Sequence, residues 1–208
     1  MCSSLLLQLD NLSCVRQQKI LFSNISLQLT AGELLLIEGP NGSGKSSLLR
    51  LIVGLLPPSE GEIFWQGSPI HKKYQAYTEH LHYIGHANGL KLGLTVRENL
   101  QLQSLSLSLT KNISLILSQL QLTQNQDTQA KFLSAGQKRR LALAKLFLFP
   151  KRLWILDEPL TALDQTTQEL FLAQLAIHLQ NGGIGMVSSH QSIFLKDTIP
   201  IKNLRLGI

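Results

Sequence analysis

Residues 39–46 read GPNGSGKS, and no other stretch limits the fold as tightly. The pattern is a complete P-loop, with glycines that let the backbone wrap closely, then a lysine and a hydroxyl. Such a loop needs a strand before it and a helix after it. Leu34–Ile37 is a short apolar run between Gly32 and Gly39, the signature of a strand buried on both faces. A helix is expected from Lys45 to about Leu55, where Pro57 and Pro58 stop it. Gly39, Pro40, Asn41, Gly42, Ser43 and Gly44 then form a loop whose N–H groups turn inward on phosphate oxygens. Lys45 supplies a cation to the β- and γ-phosphates, Ser46 a hydroxyl to Mg²⁺, and Ser47 lies beside the phosphates. The ligand implied is a nucleotide with Mg²⁺.

The rest of the chain alternates strands with helices. Strands are expected at Leu5–Leu9, Ile25–Leu29, Glu62–Trp65, Leu81–Ile84, Leu153–Leu156 and Gly185–Ser188. Ser134 reads as the N-cap of a helix to about Phe149, ended by Pro150. Asp164 reads as the cap of a helix to about Gln180, ended by Gly182 and Gly183. The tail, Ile199–Leu206, is expected to form a short hairpin around Lys202 and Asn203. Residues 96–125 are biased to Leu, Ser and Gln, so the alternation in QLQSLSLSL carries little weight, and a mostly helical lobe is expected there. This order argues for an α/β fold with a largely parallel central sheet. With 208 residues and no separating linker, a single domain is expected.

A second chemical feature is RLWILDEP, residues 152–159. An apolar strand ends in two acids. Asp157 at the strand end can hold Mg²⁺ through water, and Glu158, one residue beyond the metal, can orient or deprotonate an attacking water. Between the P-loop and this pair lies LSAGQ, residues 133–137. Ser134 and Gly136 at a helix start make an anion site from backbone amides and a hydroxyl. One nucleotide has no use for a second phosphate-binding helix start, unless that start serves another subunit's nucleotide.

The order P-loop, LSAGQ, ILDEP, TALD (161–164) and a lone His190 after VSS resembles the ABC-transporter ATPase family across essentially the whole chain. Ala135 departs from the commoner LSGGQ. The resemblance implies a P-loop NTPase of the ABC type, residues 1–208. It would have a mostly parallel central sheet, an N-terminal antiparallel β element and a helical lobe inserted at about 90–150. It also implies a head-to-tail homodimer with two ATPs sandwiched between P-loop and LSAGQ. Ser134, Gly136 and Gln137 would then contact the γ-phosphate of the opposite subunit's ATP. Asp164 would make an inter-subunit contact beside Glu158, and His190 would sense the γ-phosphate.

Two positions depart from the family pattern. The aromatic that stacks on adenine is replaced near Arg16, whose planar guanidinium can also stack on a base. The glutamine after the strand HYIG, which touches Mg²⁺ and the attacking water, is replaced by His86. That histidine, in GHANGLKLGLTVRENL (85–100), with FWQGSPI (64–70) and the NGGI run (181–184), closely resembles the ATP-binding subunits of cytochrome c maturation systems, the haem exporter ATPases. The resemblance implies a membrane permease partner, further cytochrome c maturation membrane proteins, and a peripheral place on the cytoplasmic face of a bacterial inner membrane.

Composition narrows the alternatives. No signal-peptide pattern opens the chain, and no run reaches the ~18 apolar residues of a membrane span. A net charge of +6 would suit nucleic acid, but the basic residues are scattered. There is no second ATPase domain, zinc insertion or coiled-coil arm of a nucleic-acid machine. Nucleic acid is therefore not expected as a partner. Another ABC transporter remains the main alternative assignment. EHLHYIGH could suggest a haem or metal site, but His80 and His82 are expected on a strand with no further ligand at metal spacing. Cys2 and Cys14 give no disulfide framework, which fits a reducing compartment.

Overall fold

The computed structural model describes residues 5–104, 113–190, 193, 195 and 199–207. They form two compact units. The first comprises residues 1–83, 151–158 and 175–208, and the second residues 84–150 and 159–174.

The first unit opens with a hairpin longer than its apolar runs suggest. Strand β1 is Leu5–Arg16 and β2 is Lys19–Thr30, paired antiparallel to their last residues, Arg16 with Lys19. Gln17 and Gln18 both have positive φ (47° and 64°), the two-residue turn whose twist matches that of the strands. Asn-Gly would have announced that turn, whereas Gln-Gln does not. With β4 (Glu60–Trp65) and β5 (Ser68–Pro69) the hairpin makes a four-stranded antiparallel sheet, in order β2-β1-β4-β5.

The second sheet of this unit holds β3 (Leu34–Glu38), β6 (Leu81–Ile84), β7 (Leu153–Asp157), β8 (Ile184–Ser188) and β9 (Ile201–Arg205). Its order is β6-β7-β8-β3-β9. β7, β8, β3 and β9 run parallel. Every residue of β7 and β8 is buried, so both read as continuous apolar runs. Helix α1 (Lys45–Val53) buries Leu48, Leu49, Leu51 and Ile52 in the same core as Leu35, Ile37, Ile155 and Met186. It ends at Gly54, whose positive φ of 80° closes the last turn. The short helix α2 (Tyr74–Glu79) follows, with the Tyr77 hydroxyl donating to Ile52 O.

The expected C-terminal hairpin is not formed. Ile201–Arg205 is one continuous strand, paired with β3 from Leu34↔Ile201 to Glu38↔Arg205. The backbones of Lys202 and Asn203 are spent on that ladder, so neither can turn the chain. The Lys202 ammonium fixes the register by bridging Glu33 Oε2 (2.9 Å) and Gln28 O (2.8 Å).

The second unit is helical, with α3 (Val96–Ser104), α4 (Ile113–Gln119), α5 (Ala135–Leu148) and the first turns of α6 (Gln165–Gln180). Most of the ambiguous Leu/Ser alternation, 105–109, lies outside the described residues. α5 packs against α3 and α4 and buries Leu141, Leu143, Ala144 and Leu148.

Candidate nucleotide site

Parallel pairing of β3, β8 and β7 brings the carboxyl ends of three neighbouring strands to one edge of the sheet, where α/β folds bind ligands. The P-loop follows β3, Asp157 and Glu158 close β7, and His190 follows β8. Sequence-distant residues thus converge in the first unit.

The loop's conformation explains its glycines at two positions. A Cβ on Gly39 would lie 2.5 Å from Leu206 O and 2.7 Å from Ser43 Oγ, and Gly44 sits at φ 101° against Phe22 and Leu21. Gly44 caps α1 with no side-chain acceptor, so the first-turn amides keep their affinity for an anion. The Lys45 ammonium is buried and donates to Gly39 O (2.8 Å) and Pro40 O (3.1 Å). Ser43 Oγ is buried and finds no hydrogen-bond partner among the described residues. An orphan hydroxyl in such a loop fits a phosphate oxygen. Asn41 and Gly42 are exposed on the loop, and Ser46 and Ser47 are half-buried on α1.

Asp157 is 3% exposed and accepts a 2.6 Å hydrogen bond from the Ser188 hydroxyl at Oδ1. Burial pushes the Tyr83 phenol above its usual range. A hydrogen bond to Arg50 opposes this shift and the Asp157 carboxylate adds to it. Glu158 has φ 48°, and its carboxylate Oε1 lies 3.1 Å from His190 Nε2. The Ser46 hydroxyl and the Asp157 carboxylate are both oxygen donors, the set a hard divalent cation such as Mg²⁺ takes.

Arg16 stands at the tip of the β1–β2 hairpin, and its Nη2 donates to Pro57 O at 3.3 Å. A cavity of about 610 Å³ beside the P-loop is lined by Ile20, Phe22, Asn41, Ser43 and Arg205 among others, but not by Arg16.

In the second unit, Ser134 caps α5 in a reciprocal pair with Gln137. Gln137 N donates to Ser134 Oγ (3.2 Å), and Ser134 N donates to Gln137 Oε1 (2.9 Å). The Gln137 amide nitrogen donates to Asn125 Oδ1. Gln137 therefore holds the segment's shape, while the Ser134 hydroxyl keeps its proton for an acceptor. A Cβ on Gly136 would lie 2.8 Å from Ala162 O, which fixes glycine there. Ala135, one residue earlier, occupies the first helical position, where alanine is accommodated. Asp164 Oδ1 accepts from the Thr167 amide and hydroxyl, both at 2.8 Å, and these bonds hold its carboxyl below the usual range.

His86 is exposed in the turn 86–89. His82 is buried on β6, whereas His80 caps α2 just before that strand and is not part of it. The reason is that the α2 turn continues through His80, whose amide donates to Tyr77 O. No three His, Cys, Asp or Glu side chains converge as metal ligands among the described residues.

Two organising residues were not singled out from the sequence. Arg139 is 4% exposed; its Nε donates to Pro159 O (3.2 Å) and its Nη1 to Gly85 O (3.1 Å) and Asn88 Oδ1 (2.8 Å). It ties α5 to the His86 turn and to the residue after Glu158. Asn99 binds Lys91, Leu94 and Thr95 and shapes the loop that follows that turn. One signal was available for Arg139, the KRR run, but charge alone did not separate a buried arginine from its exposed neighbours.

The ABC transporter family matches residues 22–161. A cytochrome c biogenesis ATP-binding export protein of Vibrio parahaemolyticus is 41% identical, covering 97% of this chain and 100% of the relative. A protein of the same description from Dechloromonas aromatica is 42% identical with the same coverage. Among solved structures, the ATP-binding subunit of an ABC transporter superposes with a TM-score of 0.85 at 23% identity, covering 97% of this chain and 88% of that one. A dimeric ATP-binding cassette bound to ADP and Pi superposes with a TM-score of 0.77 at 24% identity, covering 89% and 88%.

Proposed function

We propose a particular task for this chain, which belongs to the ABC transporter family and is one of its ATP-hydrolysing subunits. It drives a bacterial inner-membrane complex that assembles c-type cytochromes, powering export of haem or release of a haem-loaded chaperone. The observation that carries this reading is full-length identity above 40% to export proteins of cytochrome c biogenesis. No described helix is long and apolar enough to cross a membrane, so the anchor in this reading is a permease partner at the cytoplasmic face. Exposed Leu92 and Phe132, joined through the Lys131 amide donating to Leu92 O, offer that partner an apolar foothold.

The hydrolytic chemistry follows from the edge of the sheet. The P-loop amides, the Ser43 hydroxyl and Lys45 hold the β- and γ-phosphates, with Lys45 exchanging its bonds to Gly39 O and Pro40 O for phosphate oxygens. Mg²⁺, held by Ser46 and through water by Asp157, would neutralise charge on the phosphate oxygens. Glu158 accepts a proton from the water that attacks the γ-phosphorus, and the bond to the bridging oxygen of ADP breaks. His190 holds the Glu158 carboxylate and contacts the γ-phosphate. In the ATP-sandwich homodimer, the Ser134 hydroxyl and the Gly136 amide meet the partner's γ-phosphate, Gln137 holds them in place through its bonds to Ser134, and Asp164 lies at the subunit contact. Arg16 stacks its guanidinium plane on adenine, an arrangement compatible with its in-plane bond to Pro57 O. His86 couples nucleotide state to the loop 87–95 on the permease.

The test is genetic and biochemical together. Cells lacking the chain should lose haem-stained c-type cytochromes, and the tagged chain should co-purify from membranes with a multi-span protein. Charged substitutions at Leu92 and Phe132 should break that association. Normal cytochrome c levels in the deletion strain would refute the assignment.

A further inference from the structure

Ser188 ends β8 directly opposite Asp157 in the register with β7, and it is fully buried. Its hydroxyl accepts from the Glu158 amide at 3.0 Å and donates to Asp157 Oδ1 at 2.6 Å. A serine hydroxyl has one proton. The amide must donate, so that proton is committed to the carboxylate. The Ser188 carbonyl accepts the same Glu158 amide at 3.1 Å. Glu158 needs such support, because its φ of 48° is a left-handed conformation that costs an ordinary side chain about 1–2 kcal/mol. That conformation bends the chain out of the strand as its carboxylate meets His190 at 3.1 Å.

From this geometry we propose that Ser188 is the positioning residue for both hydrolytic acids. One hydroxyl fixes the rotation of the Asp157 carboxylate toward the metal and braces the Glu158 backbone so that the base faces the water. The proposal rests on the roles given above to Asp157 and Glu158. A hydroxyl is required because an alanine would leave the Asp157 carboxylate without this donor. It would also take the Ser188 hydroxyl from the Glu158 amide, which bonds the Ser188 carbonyl as well. Carboxylate orientation and base placement would then loosen together, while the P-loop would be untouched.

The experiment uses the full chain with Ser188→Ala, Ser188→Thr and, as a reference, Asp157→Ala. Four quantities are read at a temperature where each variant is folded. They are binding of a fluorescent ATP analogue without Mg²⁺, the Mg²⁺ concentration that half-saturates its effect on that binding, and kcat and KM for ATP. Ser188→Ala should keep Mg²⁺-free binding within about twofold, raise the half-saturating Mg²⁺ about tenfold or more, and lower kcat about 10–100-fold with KM little changed. Ser188→Thr, which restores the hydroxyl, should recover most of both losses. Unchanged Mg²⁺ dependence and kcat in Ser188→Ala would overturn the proposal. So would a parallel loss of Mg²⁺-free binding, or a threonine variant no better than alanine. If Asp157→Ala itself leaves Mg²⁺ dependence intact, the underlying reading of the metal site fails instead.

Discussion

His178 should make the stability of the first unit begin to fall with acid near pH 6.5, before the carboxylates titrate. Its ring stacks on Trp154 at 4.0 Å and 7°, and its Nε2 lies 3.1 Å from Ile184 O, which makes it the donor of a neutral imidazole. A Cβ on Gly183 would lie 2.1 Å from the ring, so the site has no slack. Burial pulls the His178 pKa from 6.5 down to about 4, and the bond to Ile184 only partly offsets this. Between those values the unfolded chain binds a proton that the folded chain refuses, so stability rises with pH across the window. At ~1.4 kcal/mol per pKa unit, the full shift is worth about 3 kcal/mol, present above pH 6.5 and lost as pH falls to about 4. The melting temperature should drop by about 6–12 °C for a chain this size. His178→Phe keeps an aromatic on Trp154 and removes the titration. Its melting curves from pH 7.5 to 4 should lack this component, so the gap between the two proteins should close by about 3 kcal/mol as pH falls. Parallel curves through the window would rule out His178 as the titrating group.

Other perturbations have equally direct readouts. Arg139→Met leaves Gly85 O, Pro159 O and Asn88 Oδ1 without their shared donor, and urea unfolding should show a loss of about 2–4 kcal/mol. Arg139→Lys should recover little of it, because an ammonium cannot reproduce the fork. Gly136→Ala drives a Cβ against the backbone oxygen of Ala162, with no side chain to move aside. It should cost about 1–3 kcal/mol in unfolding and depress turnover, whereas Ala135→Gly should leave turnover near normal.

The sequence was legible where chemistry depends on contiguous residues. GPNGSGKS and ILDEP carried their strands and loops with them, and Ser134 and Asp164 cap α5 and α6 as their spacing required. It was less legible where the fold joins distant segments. Gln17-Gln18 holds a turn that its residues do not advertise, and the hairpin it closes is about twice as long as its apolar core. The tail became a parallel strand because β3 had an open edge, a fact of topology that no local pattern in Lys202-Asn203 contains. Ser188 looked like one serine in a strand ending, and Arg139 like one charge in a basic run. Each acquires its role from a residue far away in the chain.

In the function proposed above, Glu158 performs the hydrolytic step at the edge of this sheet. The most direct test of that role is ATP turnover by Glu158→Gln measured beside ATP binding in the same preparation. Turnover should be lower by about 100-fold or more, with ATP bound as tightly as before and the ATP-bound dimer accumulating. Turnover at the unaltered rate would contradict it.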